Sequence, residues 1–123
     1  SLCGSKPAVL VWVEEGAEPT EHILNEFIQA HEVLNKMGCK GIFMIRDYRA
    51  VENETLKKAC QVLQKAALYT GDFLETAVAM ARRMYLEPEV LPLAVVAKAG
   101  RGLYACSGYN VGSVNLMIDI MSL

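Results

Sequence analysis

Three groups of residues in this sequence are of types that do chemistry. The first lies in VWVEEGAEPTEHIL, Val11 to Leu24, where an apolar run turns acidic, passes a proline and becomes helix-periodic. Glu14, Glu15, Glu18 and Glu21 crowd this turn with no Lys or Arg between them. Carboxylates at a helix start complement its dipole, each by about 0.3–1 kcal/mol. The turn therefore reads as a solvated first helical turn, with an acidic pocket for a cation or a basic peptide as the functional alternative. The same charges repel phosphate and raise the pKa of a nearby thiol, so the turn suits neither phosphate binding nor thiol attack. The second group is His22, four residues after Glu18 and four before Glu26. That spacing also makes ordinary surface pairs, and no metal or cofactor is expected from it.

The third group is the four cysteines, Cys3, Cys39, Cys60 and Cys106. No two form C-x-x-C, and no histidine stands at zinc-finger spacing. They read first as small buried hydrophobes. Cys60 falls on an apolar helix face, and Cys3 lies in a tail. Cys39, before a strand, and Cys106, in a strand near a sheet edge, are the candidates for single-thiol redox chemistry. Ser, His and Asp show no triad pattern, and no Gly-x-Gly-x-x-Gly opens a helix.

These residues must be held by elements that the rest of the chain supplies. The 123 residues, 53% hydrophobic and 21% charged, suffice for one well-packed domain. A net charge of −2 does not advertise nucleic acid as a partner. The apolar runs are far shorter than the ~20 residues that span a bilayer, so no membrane insertion is expected. The sequence starts without Met and is taken as one domain, residues 1–123, of a longer protein.

Ala8 to Val13 is a continuous apolar run, as in a strand covered on both faces. From Pro19 to Met37, apolar residues recur at three- and four-residue steps, which predicts one helix of about five turns with His31 as a hydrogen-bonded core histidine. Pro19 suits the first helical position. Gly41 to Arg46 is a second strand, parallel to the first because a helix separates them. Asn53 caps a helix from Glu54 to Lys65, and Ala67 to Thr70 forms a short edge strand. Asp72 and Glu75 resemble a capping box for a helix running to Leu86 and burying Leu74, Ala77, Val78, Ala81 and Met84. Leu93 to Ala97 and Leu103 to Ser107 make a hairpin, and a final helix follows. The order βα-βα-βα-ββα gives an α/β fold with helices on both faces of a mixed sheet.

This order resembles the thioredoxin fold. Gly16-Ala17-Glu18-Pro19-Thr20 stands where that family writes W-C-G-P-C, Pro92 stands in the cis-proline place and Gly108 in the late-glycine place. The resemblance implies a thioredoxin-like three-layer α/β/α sandwich: a mixed five-stranded sheet with a C-terminal β-hairpin and final helix, its strands ordered 67–70, 42–46, 8–13, 93–97, 103–107. It also implies a substrate-gripping surface made by Glu18, Pro19, Thr20, Leu91, Pro92, Gly108 and Tyr109, with Asn110 as a cap on the last helix in the plainer reading. Both motif cysteines are replaced, by Ala17 and Thr20. Thiol–disulfide exchange needs an attacking thiolate and a resolving thiol, so the expectation is a redox-inactive binding or accessory module for a protein or peptide partner. The alternatives are an atypical single-cysteine thiol oxidoreductase using Cys39 or Cys106, and a dimerisation domain using the edge strand 103–107. EPTEHILNEF, ARRMYLEPEVLPL and SGYNVGSVNLMIDI further resemble the C-terminal thioredoxin-like domain of some bacterial transglutaminase-like proteins. That likeness implies an upstream domain of the same chain as partner and an extracytoplasmic location.

Overall fold

The computed structural model describes residues 6–84 and 90–123. Cys3 and the expected helix end at Leu86 lie outside the described residues.

The sheet is built around β1 (Pro7–Trp12). It pairs in parallel with β2 (Lys40–Ile45) on one side and antiparallel with β4 (Leu93–Lys98) on the other. β3 (Ala67–Thr70) and β5 (Arg101–Ser107) are the edges, giving the order β3-β2-β1-β4-β5. This is the expected strand order. Val9, Val11 and Val13 alternate onto one face, where they meet Phe43, Ile45, Ala94 and Val96 under α1 (Glu18–Gln29), α3 (Glu54–Val62) and α5 (Ser113–Met121). Trp12, Leu93 and Val95 face the other way, against Phe73, Ala77 and Ala81 of α4 (Phe73–Arg83). Both faces of the central strands are apolar because both are covered, which is why β1 reads as an unbroken hydrophobic run.

The single long helix expected from Pro19 to Met37 is instead two. α1 stops at Gln29, Ala30 leaves helical geometry, and α2 (His31–Lys36) resumes. His31 Nδ1 lies 2.7 Å from the Ile28 carbonyl. A side chain that takes a main-chain acceptor breaks the i→i−4 ladder and kinks the helix. His31 is therefore hydrogen-bonded, as expected, but half-buried at a break rather than in the core.

α3 ends at Val62, short of the expected Lys65. Asn35 of α2 explains the early stop: its amide donates to the Val62 carbonyl at 2.8 Å and accepts from the Gln64 N–H at 2.8 Å. At the other end Asn53 caps α3 as expected, accepting from the Leu56 N–H. The capping box at Asp72 does not form. Asp72 takes a left-handed conformation (φ 44°) and its side chain makes no cap bond. The Thr76 hydroxyl bonds the Asp72 carbonyl instead. Phe73 is buried there, a residue that the periodicity did not mark as inward.

Trp12 is almost wholly buried, and its indole N–H donates to Thr76 Oγ1 at 3.0 Å. Thr76→Val keeps the shape and removes the acceptor. The expected loss is about 1–3 kcal/mol, read from urea unfolding. A loss under about 0.5 kcal/mol would show that the indole finds another partner.

Candidate functional site

The candidate site lies at the sheet end where β1 and β2 finish and β4 begins. The Leu91–Pro92 peptide is cis, Pro92 is buried, and its carbonyl accepts from the Gly108 N–H at 2.8 Å. Gly108 holds φ +79°, a left-handed value that suits glycine, so the chain can leave β5 beside Pro92 and turn towards α5. Leu91 and Tyr109 are half-buried on either side.

Across the gap stands the start of α1. It begins at Glu18, one residue before Pro19, with Ala17 as its N-cap. Pro19 thus takes the second helical position, where a missing N–H is still no loss. Glu18 and Pro19 are exposed. Thr20 is not, and its expected place on the gripping surface is corrected. It is fully buried, and its hydroxyl accepts from the Glu14 N–H at 3.1 Å. Its polar atom is spent holding the β1–α1 turn closed, so it cannot reach a partner.

A polar cluster forms further along α1, nearly two turns beyond Thr20. Glu26 accepts from the Tyr109 hydroxyl and from the backbone N–H groups of Gly112 and Val114, each at 3.0 Å. It is the cap of α5, delivered from another helix. The expected cap, Asn110, instead pairs with Ser113 through its backbone. Burial works against the Glu26 charge, but Tyr109, the two N–H groups and nearby His22 outweigh it and hold its pKa below the usual carboxylate range. The same bond pushes the Tyr109 hydroxyl pKa up. His22 stacks on Tyr109 at 5.2 Å between ring centroids and lies 3.3 Å from Glu18. The Glu18–His22–Glu26 spacing thus serves a helix cap and an aromatic stack. Among the described residues no group of three or more His, Cys, Asp or Glu could hold a metal ion. Nothing local in the sequence marks Glu26 as a cap, because its partners lie more than eighty residues away.

Cys39, Cys60 and Cys106 are free thiols. Cys39 is buried, its sulfur directed at the Lys40 carbonyl, and burial pushes its pKa up to about 11. That suppresses the thiolate an attack requires. Cys60 is half-buried on α3 and also raised by burial. Cys106 is half-buried on β5, opposite Ala94 of β4 and two residues before Gly108. Burial raises its pKa, and a hydrogen bond with Tyr104 acts in the opposite sense by favouring the thiolate. Of the two cysteines expected as redox candidates, the structure brings Cys106 to the Pro92 end and leaves Cys39 in the core.

No protein-family model matches the chain. No curated protein matches it either. Solved structures do. The chain is similar to the bacterioferritin comigratory protein of Xanthomonas campestris, described for its alkyl peroxide reduction activity, at 12% identity and a TM-score of 0.64, over 95% of this chain and 78% of that one. It is similar to a thioredoxin-like protein from Aeropyrum pernix at 12% identity and a TM-score of 0.61, over 97% and 81%. It is also similar to BsSco, a member of the Sco family of cytochrome c oxidase assembly proteins described for a disulfide switch, at 14% identity and a TM-score of 0.55, over 95% and 79%. The fold is thioredoxin-like, as expected.

The expectation of a redox-inactive accessory module is corrected by these comparisons. The proteins that share the fold across nearly the whole chain include one described for peroxide reduction and one for a disulfide switch. Ala17 and Thr20 speak only for the motif position; Cys106 is a thiol elsewhere, on β5 opposite Ala94.

The Glu26 cap has a pH signature. Its folded-state pKa is depressed, so its stabilisation is complete above the unfolded pKa and is lost as pH falls through the lower, folded one. Glu26→Gln is expected to cost about 1–2 kcal/mol at neutral pH, with the difference from wild type vanishing in acid. Chemical denaturation across the acid range checks this, and a pH-independent difference would contradict it.

Proposed function

We propose that this domain is an atypical thioredoxin-fold thiol oxidoreductase that works through one cysteine, Cys106. The observation that carries the reading is the position of that sulfur. It is half-buried on β5, two residues before the glycine whose N–H bonds the Pro92 carbonyl. The fold's similarity to a peroxide-reducing protein and to a disulfide-switch protein supports thiol chemistry on this scaffold.

The reaction is thiol–disulfide exchange. The Cys106 thiolate attacks one sulfur of a substrate disulfide. A mixed S–S bond forms, and the second substrate sulfur leaves as a thiolate that takes a proton from water. One thiolate of an external dithiol then attacks the substrate sulfur of the mixed disulfide and expels the Cys106 thiolate. The second thiolate displaces that substrate sulfur, and the dithiol leaves as its disulfide. Cys106 and the substrate sulfur take up the protons that the dithiol gave up. The substrate is an extended protein segment lying against Leu91, Pro92 and Gly108, with Glu18, Pro19 and Tyr109 at the rim. Because burial raises the Cys106 pKa, little thiolate exists near neutrality. Once formed, a thiolate of high pKa is the stronger nucleophile. Residues 1–123 form one such domain of a longer protein; the likeness to the C-terminal domain of bacterial transglutaminase-like proteins supports that placement.

The test is dithiothreitol-driven reduction of a cystine-containing peptide, taken as the excess over dithiothreitol alone. The rate is expected to rise by roughly tenfold per pH unit below the Cys106 pKa. Cys106→Ser should abolish the excess, and Cys39→Ser should leave it. A rate that survives Cys106→Ser ends this reading.

A further inference from the structure

β3 is a sheet edge guarded only by its shortness. It pairs with β2 alone, and no hydrogen bond among the described residues reaches its outer side. A row of unpaired N–H and C=O groups is a template for another strand, and a charge, a proline or a bulge along the edge discourages that pairing. β5 has two of these, Arg101 and the register shift between Val96 and Ala97. β3 reads Ala-Leu-Tyr-Thr and has none of them. Leu68 and Tyr69 are 39% and 52% exposed, one on each face. Leu68 stands beside Phe43 of β2, on the α3 side, and Tyr69 beside Met44, on the α4 side.

The flanking charges say which strand. Lys65 lies two residues before β3 and Asp72 two residues after it. Both are exposed, and neither is in an ion pair among the described residues. Arg46 stacks over Phe73, next in sequence to Asp72, and does not pair with it. The helix ends beside Lys65 and Asp72 suit both charges, so the charges alone call for nothing. The unused backbone groups call for a strand; the charges choose its direction and its source. An antiparallel second copy of β3 sets the Lys65 end of each chain against the Asp72 end of the other, about a two-fold axis. That axis stands perpendicular to the sheet, so each face continues into the same face of the second copy. The register centred on Leu68 then sets Ala67 against Tyr69 of the other copy, small against large, at both ends of the pair. It also sets Lys65 against Gly71, where nothing lies within 4 Å of the point at which a side chain would begin.

We propose that β3 pairs antiparallel with β3 of a second copy of this chain, joining two five-stranded sheets into one. Four residues a side fall short of a stable interface, so the dimer is transient, with a Kd of roughly 0.1–1 mM. It leaves Cys106 free, because β5 is the opposite edge of the sheet, and it does not depend on the reading of that thiol.

The test is sedimentation and amide NMR of the full chain from roughly 20 μM to 2 mM, with dithiothreitol present so that no disulfide joins copies. The mean mass should rise with concentration, and the amides of Leu68 and Tyr69 should shift most. Lys65→Asp places two carboxylates at each junction and should weaken association about tenfold. Asp72→Lys places two ammonium groups there and should do the same. Mixed in equal amounts, the two variants should associate again, because each junction then holds one charge of each sign. That recovery also shows that both variants are folded. If Asp72→Lys melts early, Lys65→Asp alone decides. The proposal is overturned by a monomer throughout the range, by shifts centred elsewhere, by single variants that associate like the wild type, or by folded variants that stay apart on mixing.

Discussion

One carboxylate holds the functional end of this molecule together. Glu26 projects from the last turn of α1 and takes its hydrogen bonds from the far end of the chain: the Tyr109 hydroxyl and the N–H groups of Gly112 and Val114. A helix start leaves unpaired donors and a partial positive charge. Here an anion from another helix meets both needs. The consequence reaches beyond α5. With 109 and 112 fixed to α1, the chain between β5 and α5 has little freedom. Gly108 is then held against the Pro92 carbonyl, and Cys106 keeps its distance from the start of β4. The sheet supplies the platform, and Glu26 sets where its last strand is allowed to end.

The β1–α1 turn is held by backbone fit and one buried hydroxyl. Ala17 caps the helix without a side chain, and Pro19 fits a position whose N–H has no helical partner. Thr20 is structural: its hydroxyl satisfies the Glu14 N–H from inside the protein. A buried acceptor in that role keeps a turn of four carboxylates closed despite their mutual repulsion. The same carboxylates make the turn a poor place for a thiolate, because negative charge nearby raises a thiol's pKa. Chemistry at a sulfur is therefore better placed across the gap on β5, away from the helix start.

The central strands were legible in the sequence because each is apolar along most of its length, as burial on both faces allows; their order came from the resemblance to the thioredoxin fold. The hairpin was legible from its glycine turn, and the sheet end of the candidate site from the thioredoxin-like placing of Pro92 and Gly108. Helix boundaries were not, for a reason that repeats. The break at Ala30 depends on where the His31 ring points, and the end of α3 depends on Asn35, twenty-seven residues from the carbonyl that it takes. Periodicity reports which face is buried, not which distant side chain competes for a backbone bond. Partners of single side chains around the site were hidden in the same way. Thr20 looked like a surface hydroxyl because its partner is a backbone N–H, and Glu26 looked like half of a surface pair with His22. Asn110 looked like the helix cap because Asn is a good capping residue, but a carboxylate carries full charge and won the position.

The place of Cys106 on an edge strand sets a limit on what else that edge can do. β5 pairs with β4 on one side only, and an unpaired edge invites another strand. Its register with β4 is shifted between Val96 and Ala97, and such an irregularity twists an edge away from easy pairing. A strand added along 103–107 would take Cys106 further from water. Desolvation already dominates the upward shift of this thiol, and more of it would remove the remaining thiolate. Pairing along β5 and chemistry at Cys106 therefore exclude one another. A substrate that approaches at the Pro92 end meets the sulfur from the end of the strand and leaves the edge, and the thiol's contact with water, as they are.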